Sequence, residues 1–203
     1  MIDIDEIMRL HASTVAKWHS EPIVNDFTGF LGLVCQQHIH NFELWHQEDI
    51  ARSPDVGSEQ IAEVKRRIDK FNQQRNDAIE KLDDAITEML SDRFITAKAD
   101  ARQNTETPGS AIDRLSIMAL RLYHYEEQID RSDVDAAHVS RVAQRIEMCR
   151  DQQRDLSLGL RELVQDIFRG EKRHKTYRQM KMYNDASLNP FLYKPKQSAV
   201  AVD

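Results

Sequence analysis

Leu44-Trp45-His46-Gln47-Glu48-Asp49 recurs as Leu122-Tyr123-His124-Tyr125-Glu126-Glu127, 78 residues later, and the architecture follows from this recurrence. The offset persists downstream. Asp55-Val56 maps to Asp133-Val134, Ile68 to Ile146, Phe71 to Cys149 and Asp77 to Asp155, and the polar interruptions of two apolar seams, Arg75 and Gln153, map to each other. A motif and a seam held in phase over such a span mark an internal repeat. Residues 58–92 carry Ile61, Val64, Ile68, Phe71, Ala78, Leu82, Ile86 and Met89 at spacings of three and four, and residues 135–168 carry Val139, Val142, Ile146, Cys149, Leu156, Leu160, Leu163 and Ile167 likewise. Spacing of this kind lays an apolar stripe along a long helix.

Each seam helix needs an antiparallel partner. Ser53-Pro54-Asp55-Val56-Gly57 breaks the chain between 26–52 and 58–92, and Arg131-Ser132-Asp133 turns it between 110–130 and 135–168. The expected fold is therefore all-α: a pseudo-two-fold four-helix bundle built from two repeated helical hairpins, 26–92 and 110–168. Ile4, Ile7, Met8, Val15 and Trp18 predict an additional amphipathic N-terminal helix. The expected organisation is one helical domain over 1–170 followed by a basic and aromatic C-terminal extension over 171–203. Polar residues 95–110 form the long connection, and Ser110 with Asp113 resembles a capping box for the helix that follows.

Composition narrows the function classes. The 203 residues carry a net charge of −6 and a pI near 5.8, which argues against general nucleic-acid binding. The charge is divided: residues 161–203 hold nine Lys and Arg against five Asp and Glu, and the first 160 hold nineteen against twenty-nine. No apolar run reaches the ~18 residues of a membrane span, and the acidic start lacks a secretory n-region, so a cytoplasmic protein is expected. Cys35 and Cys149 fall in apolar helical patterns, as expected of reduced, packed thiols.

Three groups of residues could carry chemistry. Residues three apart share a helix face, so Glu43, His46 and Asp49 form one row and His124 and Glu127 the matching row in the second hairpin. Glu-x-x-His is an element of metal-binding carboxylate bundles, and a divalent metal held by these five residues is one reading. In a second, interhelical ion pairs and hydrogen bonds account for the motif, with His46 facing Lys65, Arg66 and Arg67 by reflection about residue 55 and Glu126 and Glu127 facing Ser140 and Arg141 by reflection about residue 132; in a third, His46 or His124 acts as a general acid or base. The second group lies at the opposite end of the bundle, where Gly109, Ser110, Asp113 and Arg114 meet the level of Arg75, Asn76 and Asp77. Arg75 in a seam requires Asp113, Asp77 or a bound anion as its partner. These seven residues therefore form a candidate ligand site, or a polar layer that sets helix register. The third group is acidic, Glu80-x-x-Asp83, resembling the acidic pairs of all-α nucleotide pyrophosphohydrolases; a solvated charged face is the alternative. In the tail, Leu188, Phe191, Leu192 and Tyr193 are expected to pack on the bundle or on a partner.

Trp45-His46-x-Glu48-Asp49-x-Ala51-Arg52, Gln74-Arg75-Asn76-Asp77, Thr105-Glu106-Thr107-Pro108-Gly109-Ser110-x-x-Asp113-Arg114-Leu115-Ser116-Ile117, Tyr123-His124 and Met182-Tyr183-Asn184-Asp185-x-x-Leu188-Asn189-Pro190 together resemble a bacterial all-helical family designated a domain of unknown function. Genes of that family often neighbour glycosyltransferases of lipopolysaccharide and other surface glycans. The resemblance implies a bacterial cytosolic setting; the expected function is an accessory or binding protein of surface-glycan biosynthesis that takes a phosphorylated ligand such as a nucleotide sugar, or a glycosyltransferase partner, through the Arg75, Asp113 and Arg114 end and the basic tail. The alternative is a metal-dependent helical-bundle enzyme, a phosphohydrolase or a di-metal oxidase, using the His and carboxylate pairs. Self-association into a homo-oligomer is compatible with either.

Overall fold

A computed structural model describes residues 2–180, 182 and 185–193. Lys181, Tyr183 and Asn184 of the basic tail lie outside the described residues. Among these residues the chain is all-α apart from two two-residue strands. The order is α1 (Ile4–Trp18), α2 (Gly29–Arg52), α3 (Ser58–Asp92), β1 (Arg102–Gln103), α4 (Pro108–Ile129), α5 (Ala136–Phe168), β2 (Lys172–Arg173) and α6 (Pro190–Tyr193). Side-chain oxygens receive the free N–H groups at three helix starts: Asp3 accepts from Glu6, Thr107 from Ser110, and Asp135 from His138. Pro108 sits in the first turn of α4, where its missing N–H costs nothing. The cap of α4 is thus Thr107. Ser110, expected to cap it, lies inside the helix and donates its N–H to Thr107, while Asp113 accepts from Arg75.

The helices pair as α2 with α3 and α4 with α5, the two hairpins of the repeat. Their relation is legible from residues that touch their own equivalents. His38 hydrogen-bonds Ser116 at 2.6 Å, and the rings of His46 and His124 stand 5.7 Å apart. Both pairs are 78 residues apart, and a side chain meets its own equivalent only on the axis that relates the repeats. The two levels are eight residues apart, about 12 Å of helix. The pseudo-two-fold therefore runs along the bundle, and α2 and α4 flank it in parallel. The outer surfaces agree: Gln36, His40, Gln74, Asp77 and Ala78 border a recess between α2 and α3, and Arg114, Met118, Gln152, Asp155 and Leu156, each 78 further on, border one between α4 and α5.

α1 departs from this symmetry. It packs against α4, α2 and α5, and buries Ile4, Ile7, Leu10, Val15 and Trp18 in the main core with Val34, Phe42, Leu82, Ile112, Leu115, Leu120, Leu160 and Val164. Each such aliphatic side chain contributes roughly 1.5–3 kcal/mol by leaving water. Cys35 and Cys149 are buried free thiols, and burial pushes the Cys35 thiol up to about 11, which leaves it unreactive at neutral pH.

β1 and β2 pair in parallel, Arg102 opposite Lys172, and tie the long connection to the end of α5. Residues 174–179 then cross α3. His174 bonds the Asp83 carbonyl, Arg178 pairs with Glu80 and Asp84, and the Gln179 N–H donates to Glu80. The basic tail thereby neutralises the acidic face of α3. Leu188, Phe191, Leu192 and Tyr193 do not return to the bundle; Phe191 is 95% exposed.

Candidate functional site

Three imidazoles converge where α1, α2 and α4 meet. His19 is the C-terminal cap of α1, His46 lies on α2 and His124 on α4. Their ring centroids are 5.1, 5.2 and 5.7 Å apart, and one nitrogen from each lies within 4.8 Å of the others. The group is half-buried: the His46 side chain is 35% exposed and His124 20%.

The ring orientations have visible causes. His19 Nδ1 lies 2.7 Å from the Val15 carbonyl and His124 Nδ1 2.8 Å from Glu127, so in each ring Nδ1 must carry the proton and Nε2 the lone pair. Both Nε2 atoms are buried with no hydrogen-bond partner. His46 turns Nδ1 toward Asp49 at 3.9 Å. Tyr123 stacks on His19 at 4.1 Å and 19°, Trp45 stacks on His124 at 4.9 Å and 8°, and Phe42 meets His46 edge-on at 4.5 Å. These contacts restrict the rings before any ligand arrives. Burial, and then the neighbouring His19 and His124, hold His46 below the usual imidazole range, so the His46 ring favours its neutral form.

Such an arrangement has the parts of a transition-metal site. Neutral imidazole Nε2 is a common ligand, and the group on Nδ1 fixes tautomer and direction. Tetrahedral coordination at ~2.1 Å places ligand nitrogens about 3.4 Å apart, so modest rotation of the three rings would suffice. Of the five metal candidates expected from the sequence, His46 and His124 lie at the centre, and Asp49 and Glu127 stand behind them. Glu43 turns away. It lies 4.0 Å from His40 and faces Lys70 of α3, and burial raises its carboxyl above the usual range. Lys65 and Arg67, expected opposite His46, pair with Asp69 and Glu63 along their own helix. His19 escaped the sequence reading because it lies outside the repeat, and no spacing relates a cap of α1 to residues on α2 and α4.

The second predicted group is distributed over separate environments. Asp113, 5% exposed, accepts from Arg75 Nε at 2.7 Å and Nη2 at 2.5 Å, from Gln37 at 2.6 Å and from Asn41 at 3.0 Å. Asn41 also donates to Ser116, which bonds His38. This is a polar layer across α2, α3 and α4 in which Arg75 is committed to Asp113. The Gly109 N–H donates to Asp83 at 2.8 Å and the Ser110 N–H to Thr107 at 3.2 Å, so the first turn of α4 is occupied by the protein's own acceptors. Asp77 accepts from Gln73, Asn76 is half-buried on α3, and Arg114 pairs with Glu106 at 2.9 Å on the outer face.

The profile of a family described as "Protein of unknown function (DUF4254)" matches residues 31–176, a span that includes His46 and His124 and follows His19. No curated protein and no solved structure matches the chain. No helix among the described residues is long and apolar enough to cross a membrane.

Proposed function

The chain belongs to the DUF4254 family, and we propose that this member is a metal-dependent helical-bundle enzyme whose centre is a single divalent transition ion held by His19, His46 and His124. The observation that carries the reading is the pair of buried, unpartnered Nε2 atoms on His19 and His124, each on a ring whose Nδ1 is anchored. A buried lone pair without a donor is costly, and two such rings 5.1 Å apart with a third imidazole beside them fit a cation better than packing alone. Asp49 and Glu127 balance the ion's charge from behind. The partial exposure of His46 leaves one side open, so three protein ligands would share the ion with a solvent molecule. That is the arrangement of hydrolytic and Lewis-acid centres, in which the ion makes hydroxide available near neutral pH.

Elemental analysis of protein purified without a polyhistidine tag tests this. One equivalent of Zn, Mn, Fe, Co or Ni per chain is expected, lost in His19→Ala and in His46→Ala and kept in Glu43→Ala. Three imidazoles that serve only to pack, as in a purely accessory protein, would take up no stoichiometric metal, and that result would refute the proposal.

A further inference from the structure

The recess between α4 and α5 has a volume of about 650 Å³, within the usual range of small-ligand sites. Arg114 and Arg121 flank it from one face of α4, two turns or about 10 Å apart. Ile117, Met118 and Leu156 provide apolar surface between them, Gln152 adds an amide, and the Asp155 carboxylate stands on the α5 side. Arg121 is half-buried, and among the described residues no acceptor bonds its guanidinium. A guanidinium partly withdrawn from water is favoured by an acceptor, as half-buried Arg75 has in Asp113. The symmetry-related recess between α2 and α3 provides an internal comparison. It has the same helical framework, yet Gln36 stands at the position of Arg114 and Glu43 at that of Arg121. Duplication therefore accounts for the recess but not for its two arginines.

We infer that the α4/α5 recess binds a phosphorylated organic molecule, its anionic group held by Arg121 and Arg114 and its uncharged part lying over Ile117, Met118 and Leu156. A planar guanidinium matches phosphate oxygens in pairs, and an open groove lets two long side chains converge on one diphosphate. Arg114 can exchange its half-exposed partner Glu106 for such a group, because an ion pair this exposed holds the two side chains only weakly. No imidazole of the proposed metal centre lines the recess, so the inference stands apart from that reading, although Arg121 precedes His124 by one turn of α4.

Isothermal titration calorimetry at fixed ionic strength, with uridine 5′-diphosphate and inorganic pyrophosphate as probes, tests it. Saturable binding is expected, tighter for the nucleoside diphosphate, and weakened at least tenfold in Arg121→Gln with the urea midpoint unchanged. Lys81→Gln, in the symmetry-related recess, should bind as the parent does. Four results would each overturn the inference. Neither probe saturates at millimolar concentration, or both bind equally, so that the apolar surface plays no part. Arg121→Gln binds like the parent and loses stability that Asp155→Asn also removes, which would assign the guanidinium to Asp155. Or binding survives Arg121→Gln and disappears in His46→Ala, which would place the anion on the metal.

Discussion

Replacing Arg75 by Met keeps the aliphatic stem within the α2–α3–α4 layer and removes the charge that faces Asp113. The Asp113 carboxylate is 5% exposed and would retain only the neutral donors of Gln37 and Asn41. Breaking a buried ion pair from one side costs about 3–5 kcal/mol. Arg75 keeps a quarter of its exposure, which places the expected loss near the lower end, about 3 kcal/mol. For a chain of this size that corresponds to a fall in Tm of roughly 6–12 °C. Urea unfolding followed by circular dichroism, with an unchanged m value, is the assay. Arg75→Met/Asp113→Leu should be more stable than Arg75→Met alone: the unpaired carboxylate is gone, and although Gln37 loses its acceptor, Asn41 still donates to Ser116. A single-variant loss below about 0.5 kcal/mol, the size of an exposed pair, would refute the reasoning, as would strict additivity in the double variant. Either result would also release Arg75 for a ligand.

Acid should unfold the protein through its core histidines. Burial lowers His11 to about 3 and holds His38 well below the usual imidazole range, so between pH 6.5 and the folded values the unfolded chain binds more protons and stability falls with pH. For His11 the loss is about 2 kcal/mol by pH 5, and His11→Leu should flatten the dependence of the urea midpoint on pH by one proton. Glycine positions give a graded test by thermal unfolding. Gly159 lies in α5 with nothing near its missing Cβ, so Gly159→Ala should stabilise by about 0.5–1 kcal/mol. A Cβ at Gly109 would lie 2.7 Å from the Ile79 carbonyl, and one at Gly170, where φ is +72°, 2.6 Å from the Thr96 carbonyl; both Ala variants should lose stability, by more than about 1 kcal/mol. At the histidine centre, Glu127→Gln should weaken metal binding by about 10–100-fold in competition with a chelator, and Glu43→Gln should leave it unchanged.

Most of the fold was legible because the repeat and the seams are properties of spacing. Helices α2 to α5 lie within a few residues of the expected segments, and His46 and His124, equivalent in sequence, meet in space as a duplicated bundle requires. The errors come from distances that spacing does not encode. Taking residue 132 as the turn of the second hairpin set Glu126 opposite Ser140 and Arg141, whereas it pairs with Arg150. The polar end of the bundle failed as a single pocket for a different reason. Its residues were correctly placed along the helices, but Asp83, Thr107 and Asp113 each satisfy one of them separately.

Hydrophobic period, turn residues and the 78-residue echo were sufficient to establish an all-α chain of two related hairpins, because periodicity alone dictates which faces must leave water. Which polar groups then meet is a matter of rotation about each helix and of the extra helix α1, and no local pattern encodes either. Packing of α1 against α4 brings His19 to His46 and His124, and the α4/α5 groove brings Arg114 and Arg121 to one recess. The histidine centre is assembled from residues far apart in the chain, and the recess from two arginines two turns apart on α4 with α5 facing them, by forces that act on whole faces rather than on motifs.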